Sequence, residues 1–144
     1  MIVPDANLLL YAYDNTSTHH SAALKWVNRA FSGTELIGLP WQVVWAFLRI
    51  STNKQIYANP ISMETAVGIA QHWVGLSNVR LLAPGEQHWG LLRGMLIEGG
   101  IRGARVTDAE LAAITNEYGG VLYTVDRGFA RFPGLRWVNP LSAS

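Results

Sequence analysis

A chain of 144 residues is expected to form one domain, residues 1–144, large enough to bury a core without cross-links. With 49% hydrophobic and only 15% charged residues the composition excludes disorder, and a net charge of +1 excludes a general polycation. Any nucleic-acid contact must therefore come from local clusters of the nine arginines among its eleven cationic residues. The absence of cysteine excludes disulfides, thiol nucleophiles and thiolate metal sites, and agrees with a reducing compartment.

In chain order, Met1 to Val3 reads as a short buried strand that ends at Pro4-Asp5 and feeds a helix over Ala6 to Tyr13. His20, Ala23, Leu24, Val27 and Phe31 follow helical spacing up to Ser32-Gly33, and Glu35 to Leu39 is strand-like. Pro40 then opens a helix carrying Val43, Val44, Phe47, Leu48 and Ile50. Ser62 can cap a helix whose apolar face is Ala66, Ile69, Ala70, Trp73 and Val74, followed by a strand over Asn78 to Leu82. Trp89, Leu92, Met95 and Leu96 form the next helical stripe, which stops at Gly99-Gly100. Thr107-Asp108-Ala109-Glu110 reads as a capping box for a helix ending at Gly119-Gly120. Val121 to Val125 is the clearest strand, ending in Asp126, and Arg136 to Val138 a short last one.

Strands alternating with helices predict an α/β fold with a parallel sheet covered on both faces. No stretch reaches the about 20 apolar residues of a membrane span. The first residues lack the charge pattern of a signal peptide, so a cytoplasmic location without membrane attachment is expected. A mean hydropathy of +0.14 with six tryptophans suggests an apolar surface covered by a second subunit or partner.

Ligands of open parallel sheets bind outside the carboxyl ends of the strands, and Asp5, Asp126 and Asp108 are expected at that edge. Helix-start or turn roles would suit Asp108, Glu110 and Asp126, but a carboxylate directly after a buried strand, as at Asp5, needs a compensating charge. Converging carboxylates repel one another, and a hard divalent cation such as Mg²⁺, or Mn²⁺ in its place, reverses that repulsion and can support attack on a phosphodiester. Arg102, Arg105, Arg127 and Arg131 flank the edge and are candidate phosphate contacts, which the resemblance described next assigns to RNA. The four histidines, His19, His20, His72 and His88, lack zinc-site spacing and are read as surface or helix-face residues.

Asp5-Ala6-Asn7-Leu8-Leu9, Phe47-Leu48-Arg49-Ile50-Ser51-Thr52-Asn53, Val106 to Ala113 and Leu122 to Leu135 together resemble PIN domains of the VapC toxin type, in order and over essentially the whole chain. The resemblance implies a PIN-like three-layer α/β/α domain with a central, mainly parallel sheet. It further implies a Mg²⁺-dependent endoribonuclease, the toxin of a VapBC toxin–antitoxin pair, dimeric, silenced by a VapB-type antitoxin and acting on tRNA or ribosomal RNA. Asp5, Asp108 and Asp126 match the family's acidic positions as catalytic residues and metal ligands. Asn7, Thr124 and Glu110 are expected to orient water or carboxylates around them. Two acids of the family pattern are missing: the usual Glu is Ala46, and the acid two residues after the last Asp is Gly128. The expectation is one ion held by Asp5 and Asp108, with Asp126 reaching it directly or through water. The alternative is a degenerate PIN domain that binds RNA and antitoxin with little catalysis because of Ala46.

Overall fold

The computed structural model describes residues 1–142. Five strands, β1 (Ile2–Pro4), β2 (Ile37–Pro40), β3 (Val79–Leu82), β4 (Val121–Tyr123) and β5 (Trp137–Val138), form one sheet in the order β3-β2-β1-β4-β5, and every pairing is parallel. The helices are α1 (Ala6–Ala12), α2 (His20–Phe31), α3 (Trp41–Ser51), α4 (Met63–Val74), α5 (His88–Glu98) and α6 (Val106–Glu117). Short 3-10 turns occupy Gly103–Arg105 and Arg127–Arg131.

Successive side chains of a strand point to opposite faces, and all of β1 and β2 is buried, so the centre of the sheet is covered on both sides. α1 packs on α2 and α3, α3 packs on α4, and α5 packs on α6. The core is built from Val3, Leu9, Ile37, Leu39, Phe47, Trp73, Ile114 and Leu122, all essentially without solvent exposure. Gly119, at a φ of 67°, ends α6 in the left-handed conformation and turns the chain into β4.

Several expected boundaries move: β2 runs over Ile37–Pro40 rather than Glu35 to Leu39, and β3 and β5 each start one residue later than expected. The capping box at Thr107 to Glu110 is absent, because the 3-10 turn winds straight into α6 at Val106 and places Thr107 inside the helix. β4 stops at Tyr123, two residues before the expected end, because Thr124 and Val125 leave the strand as the chain bends toward Asp126.

The chain builds β1, β2 and β3 outward in one direction, then returns to lay β4 on the other side of β1. The strand order reverses between β1 and β4, and a crevice opens at their carboxyl ends, the location that topology reserves for a ligand. Ile2, Val3 and Pro4 pair with Val121, Leu122 and Tyr123, so one further step in register sets Asp5 beside Thr124.

Candidate active site

Asp5 is fixed by its backbone and its side chain together. Its N–H donates to the Tyr123 carbonyl at 2.9 Å, extending the β1–β4 ladder by one residue. Its Oδ2 accepts from the Thr124 hydroxyl at 2.7 Å. That hydroxyl is fully buried and also accepts from Asn7 Nδ2 at 3.2 Å and from the Asp126 N–H at 3.1 Å. Thr124 thereby fastens residues of β1, α1 and the β4 exit around one oxygen. Asn7 Oδ1 is buried in this cluster without a partner.

Burial pushes the Asp5 carboxyl up to about 6, against the pull of the Thr124 hydroxyl and the Ala6 N–H, and repulsion from Asp108 and Asp126 adds to the rise. Asp108, third residue of α6, is also raised: burial is the main cause, with Arg105 and Arg131 pulling down and Asp126 pushing up. These mutual effects place the three aspartates in one electrostatic neighbourhood at the crevice, although they arrive on β1, α6 and the β4 exit.

Asp126 caps the following 3-10 turn, its Oδ1 accepting from the Gly128 N–H at 2.8 Å. Its Oδ2 faces Arg105, whose Nη1 lies 3.7 Å away and also donates to Asp108 Oδ2 at 3.3 Å. Arg105, expected only as a phosphate contact, therefore bridges two of the three acids. Arg102, Arg127 and Arg131 are exposed around the site.

Glu110 is engaged on the neighbouring face of α6. Its Oε2 accepts from Gln42 Nε2 at 2.8 Å, and the same nitrogen donates to the Thr107 carbonyl at 3.1 Å. Its Oε1 lies 3.9 Å from His88 Nε2. His88 departs from the surface reading: its side chain is 12% exposed and lies between Glu110 and Glu117, 3.4 Å from the latter. The sequence offered no signal for this, because the three residues come from the two packed helices α5 and α6. Ala46 lies one helical turn from Gln42 on α3, on the side that meets the start of α6.

Carboxylate oxygens and the orphaned Asn7 carbonyl are the hard donors that suit Mg²⁺ or Mn²⁺, so the residue types fit such an ion. Among the described residues, no three His, Asp or Glu side chains close into a ready-made ligand cage. A cavity of about 220 Å³ lies elsewhere, between the ends of α1 and α3, and none of the three aspartates lines it.

A scan of protein-family models finds no match to the chain. Ribonuclease VapC37 of Mycobacterium tuberculosis is 35% identical over 140 residues, covering 97% of each chain. Ribonuclease VapC33 of the same organism is 36% identical over 141 residues, covering 98% of this chain and 99% of the relative. Among solved structures, the sarcin-ricin loop cleaving toxin VapC20 of M. tuberculosis superposes with a TM-score of 0.68 at 16% identity, covering 94% of this chain and 99% of that one. VapBC2 of Rickettsia felis, solved with a promoter DNA fragment, gives 0.63 at 18% identity, covering 96% and 98%. Full-length identity above one third, carried on an all-parallel sheet with acids at its switch point, establishes that this chain belongs to the VapC ribonuclease family of PIN-domain proteins.

Proposed function

We propose that this chain is a divalent-metal-dependent endoribonuclease toxin that hydrolyses RNA phosphodiester bonds at Asp5, Asp108 and Asp126 and is restrained by a cognate VapB-type antitoxin. The observation that carries the reading is the set of three mutually repelling aspartates at the β1–β4 switch point. The relatives named as ribonucleases supply the substrate class, and the structural relatives solved as VapBC complexes supply the partner class. The RNA is of the structured kind, tRNA or ribosomal RNA.

Asp5 and Asp108 would hold one Mg²⁺, or Mn²⁺ in its place, with Asp126 joining directly or through water. The bound ion lowers the pKa of water and neutralises charge on the phosphate. Thr124 holds one Asp5 oxygen at 2.7 Å, and Asn7 Oδ1 is an unspent acceptor in the same cluster. In the reaction a water oxygen bonds to phosphorus, the bond from phosphorus to one ribose oxygen breaks, and that oxygen takes up a proton. Arg102, Arg127 and Arg131, all exposed, would grip flanking phosphates.

Purified chain is expected to cut bacterial RNA in Mg²⁺ and to stop in excess chelator. Asp5→Asn and Asp108→Asn should each lower the rate about a hundredfold or more, the several kcal/mol a metal ligand contributes, with the fold retained. Undiminished cleavage by either variant rules out the assignment. Ala46 favours the second reading, a PIN domain that binds RNA and antitoxin with little turnover, and under it wild type would retain RNA in a pull-down yet leave it intact.

A further inference from the structure

Arg105 does more than lie near the acids. Nη1 is shared between Asp108 Oδ2 at 3.3 Å and Asp126 Oδ2 at 3.7 Å, and the other Asp126 oxygen is already held by the Gly128 N–H. The guanidinium rests directly over Gly128: a Cβ built there would stand 2.9 Å from Arg105 Cζ and would collide with Nη1. A side chain at 128 would push the guanidinium from this seat, so the missing acid at 128 and the bridging arginine belong to one arrangement. Among the described residues, Nη2 and Nε of Arg105 have no hydrogen-bond partner, and the side chain is 40% exposed. The half-exposed group therefore keeps spare paired donors of the kind that fit phosphate oxygens.

We propose that Arg105 is the second cation of this catalytic site: seated between Asp108 and Asp126 over Gly128, its guanidinium takes the place of a second divalent ion and binds the phosphate being cleaved. The inference rests on the metal-dependent reading above. Charge supports it. Three carboxylates with one guanidinium leave two negative charges, which a single divalent ion neutralises, whereas a fourth carboxylate, absent at Ala46, would leave room for a second ion. A guanidinium cannot lose its proton near neutral pH, so this second positive charge is permanent and needs no loading from solution.

The test reads metal binding and cleavage separately. Titration calorimetry of the free protein with Mn²⁺ should give one ion for wild type. Arg105→Gln removes the competing charge and should bind Mn²⁺ about tenfold more tightly, while its cleavage of bacterial RNA at saturating Mn²⁺ falls about tenfold. Arg105→Lys, which retains the charge without the planar fork, should fall between the two on both readouts. Gly128→Ala, checked for folding by circular dichroism, should shift Mn²⁺ affinity in the same direction as Arg105→Gln by displacing the group. Two ions in wild type, unchanged Mn²⁺ affinity in Arg105→Gln, or equal or faster cleavage by it overturns the proposal while the metal-dependent reading stands. Wild type that binds no Mn²⁺ and cuts RNA in chelator overturns both.

Discussion

Asp5 works against the stability of the free protein. Its folded-state pKa of about 6 lies above the ordinary 3.8, so folding favours the protonated carboxyl, and that stabilisation, complete below about pH 4, is lost as the pH rises through 6. Holding the carboxylate ionised at neutral pH costs roughly 2–3 kcal/mol. Asp5→Asn keeps an acceptor for the Thr124 hydroxyl and is expected to melt above wild type at pH 7.5 in chelator, with the difference closing near pH 4. Saturating Mn²⁺ should raise the melting temperature of wild type alone. Identical melting curves at pH 7.5 would mean that the carboxylate is well solvated. Thr124→Val tests the other half of the pair: it strips a buried hydroxyl that serves Asp5, Asn7 and Asp126, at an expected cost of about 1–3 kcal/mol in urea unfolding. Asp5 and Asp126 were readable in the sequence because each follows an apolar run, and Thr124 was expected beside them only through the resemblance, since the β1–β4 register that carries it to Asp5 is a long-range pairing. Arg105 was not readable in its bridging role, since that depends on the missing side chain of Gly128, 23 positions away in a different element.

At the scale of elements, α3 and the start of α6 decide how much charge the crevice holds. Gln42 ties α3 to the Thr107 carbonyl and to Glu110, which fixes the rotation of α3 and carries Ala46, one turn on, along the same side. A carboxylate at 46 would add a fourth acid to a site that otherwise reaches neutrality with one divalent ion and Arg105. Ala46→Glu is therefore expected to tighten Mn²⁺ binding by about tenfold, one charge at partly screened distance, measured by calorimetry on the free protein. Unchanged affinity in a folded variant would show that position 46 faces away from the acids. Hydrophobic spacing disclosed α2 to α5, while α6 was read from a capping-box pattern that misjudged its start. Thr107 and Glu110 have the spacing of a capping box, yet Gly103, with its φ of 64°, begins a 3-10 turn that starts the winding one residue before Thr107. Glu110 is then free to bond Gln42 across the helix pair, a tertiary contact that no local pattern encodes.

For the whole molecule, alternation of strand and helix was enough to disclose the parallel sheet, because a short buried strand followed by an amphipathic helix has few other ways to cover both faces. The same greasy composition leaves apolar groups outside. Trp45 is 63% and Trp89 66% exposed, and Trp41 is 41% exposed one turn before Trp45. Trp41 and Trp45, four residues apart on α3, share one face of that helix, and Trp89 stands exposed at the start of α5. Three such exposed indoles, two of them on one helix face, are much apolar surface for a monomer, and a two-fold contact between copies is the simplest way to cover it. The isolated chain is therefore expected to scatter light as a dimer at micromolar concentration. Substituting Trp45→Ser and Trp89→Ser together should yield monomers whose melting temperature, measured at a concentration where wild type is already dissociated, matches that of wild type, because exposed side chains contribute within about 0.5 kcal/mol to a folded monomer. If wild type is monomeric at micromolar concentration, this surface belongs to the antitoxin instead, and the co-expressed partner should shield Trp45 and Trp89 from fluorescence quenching by iodide.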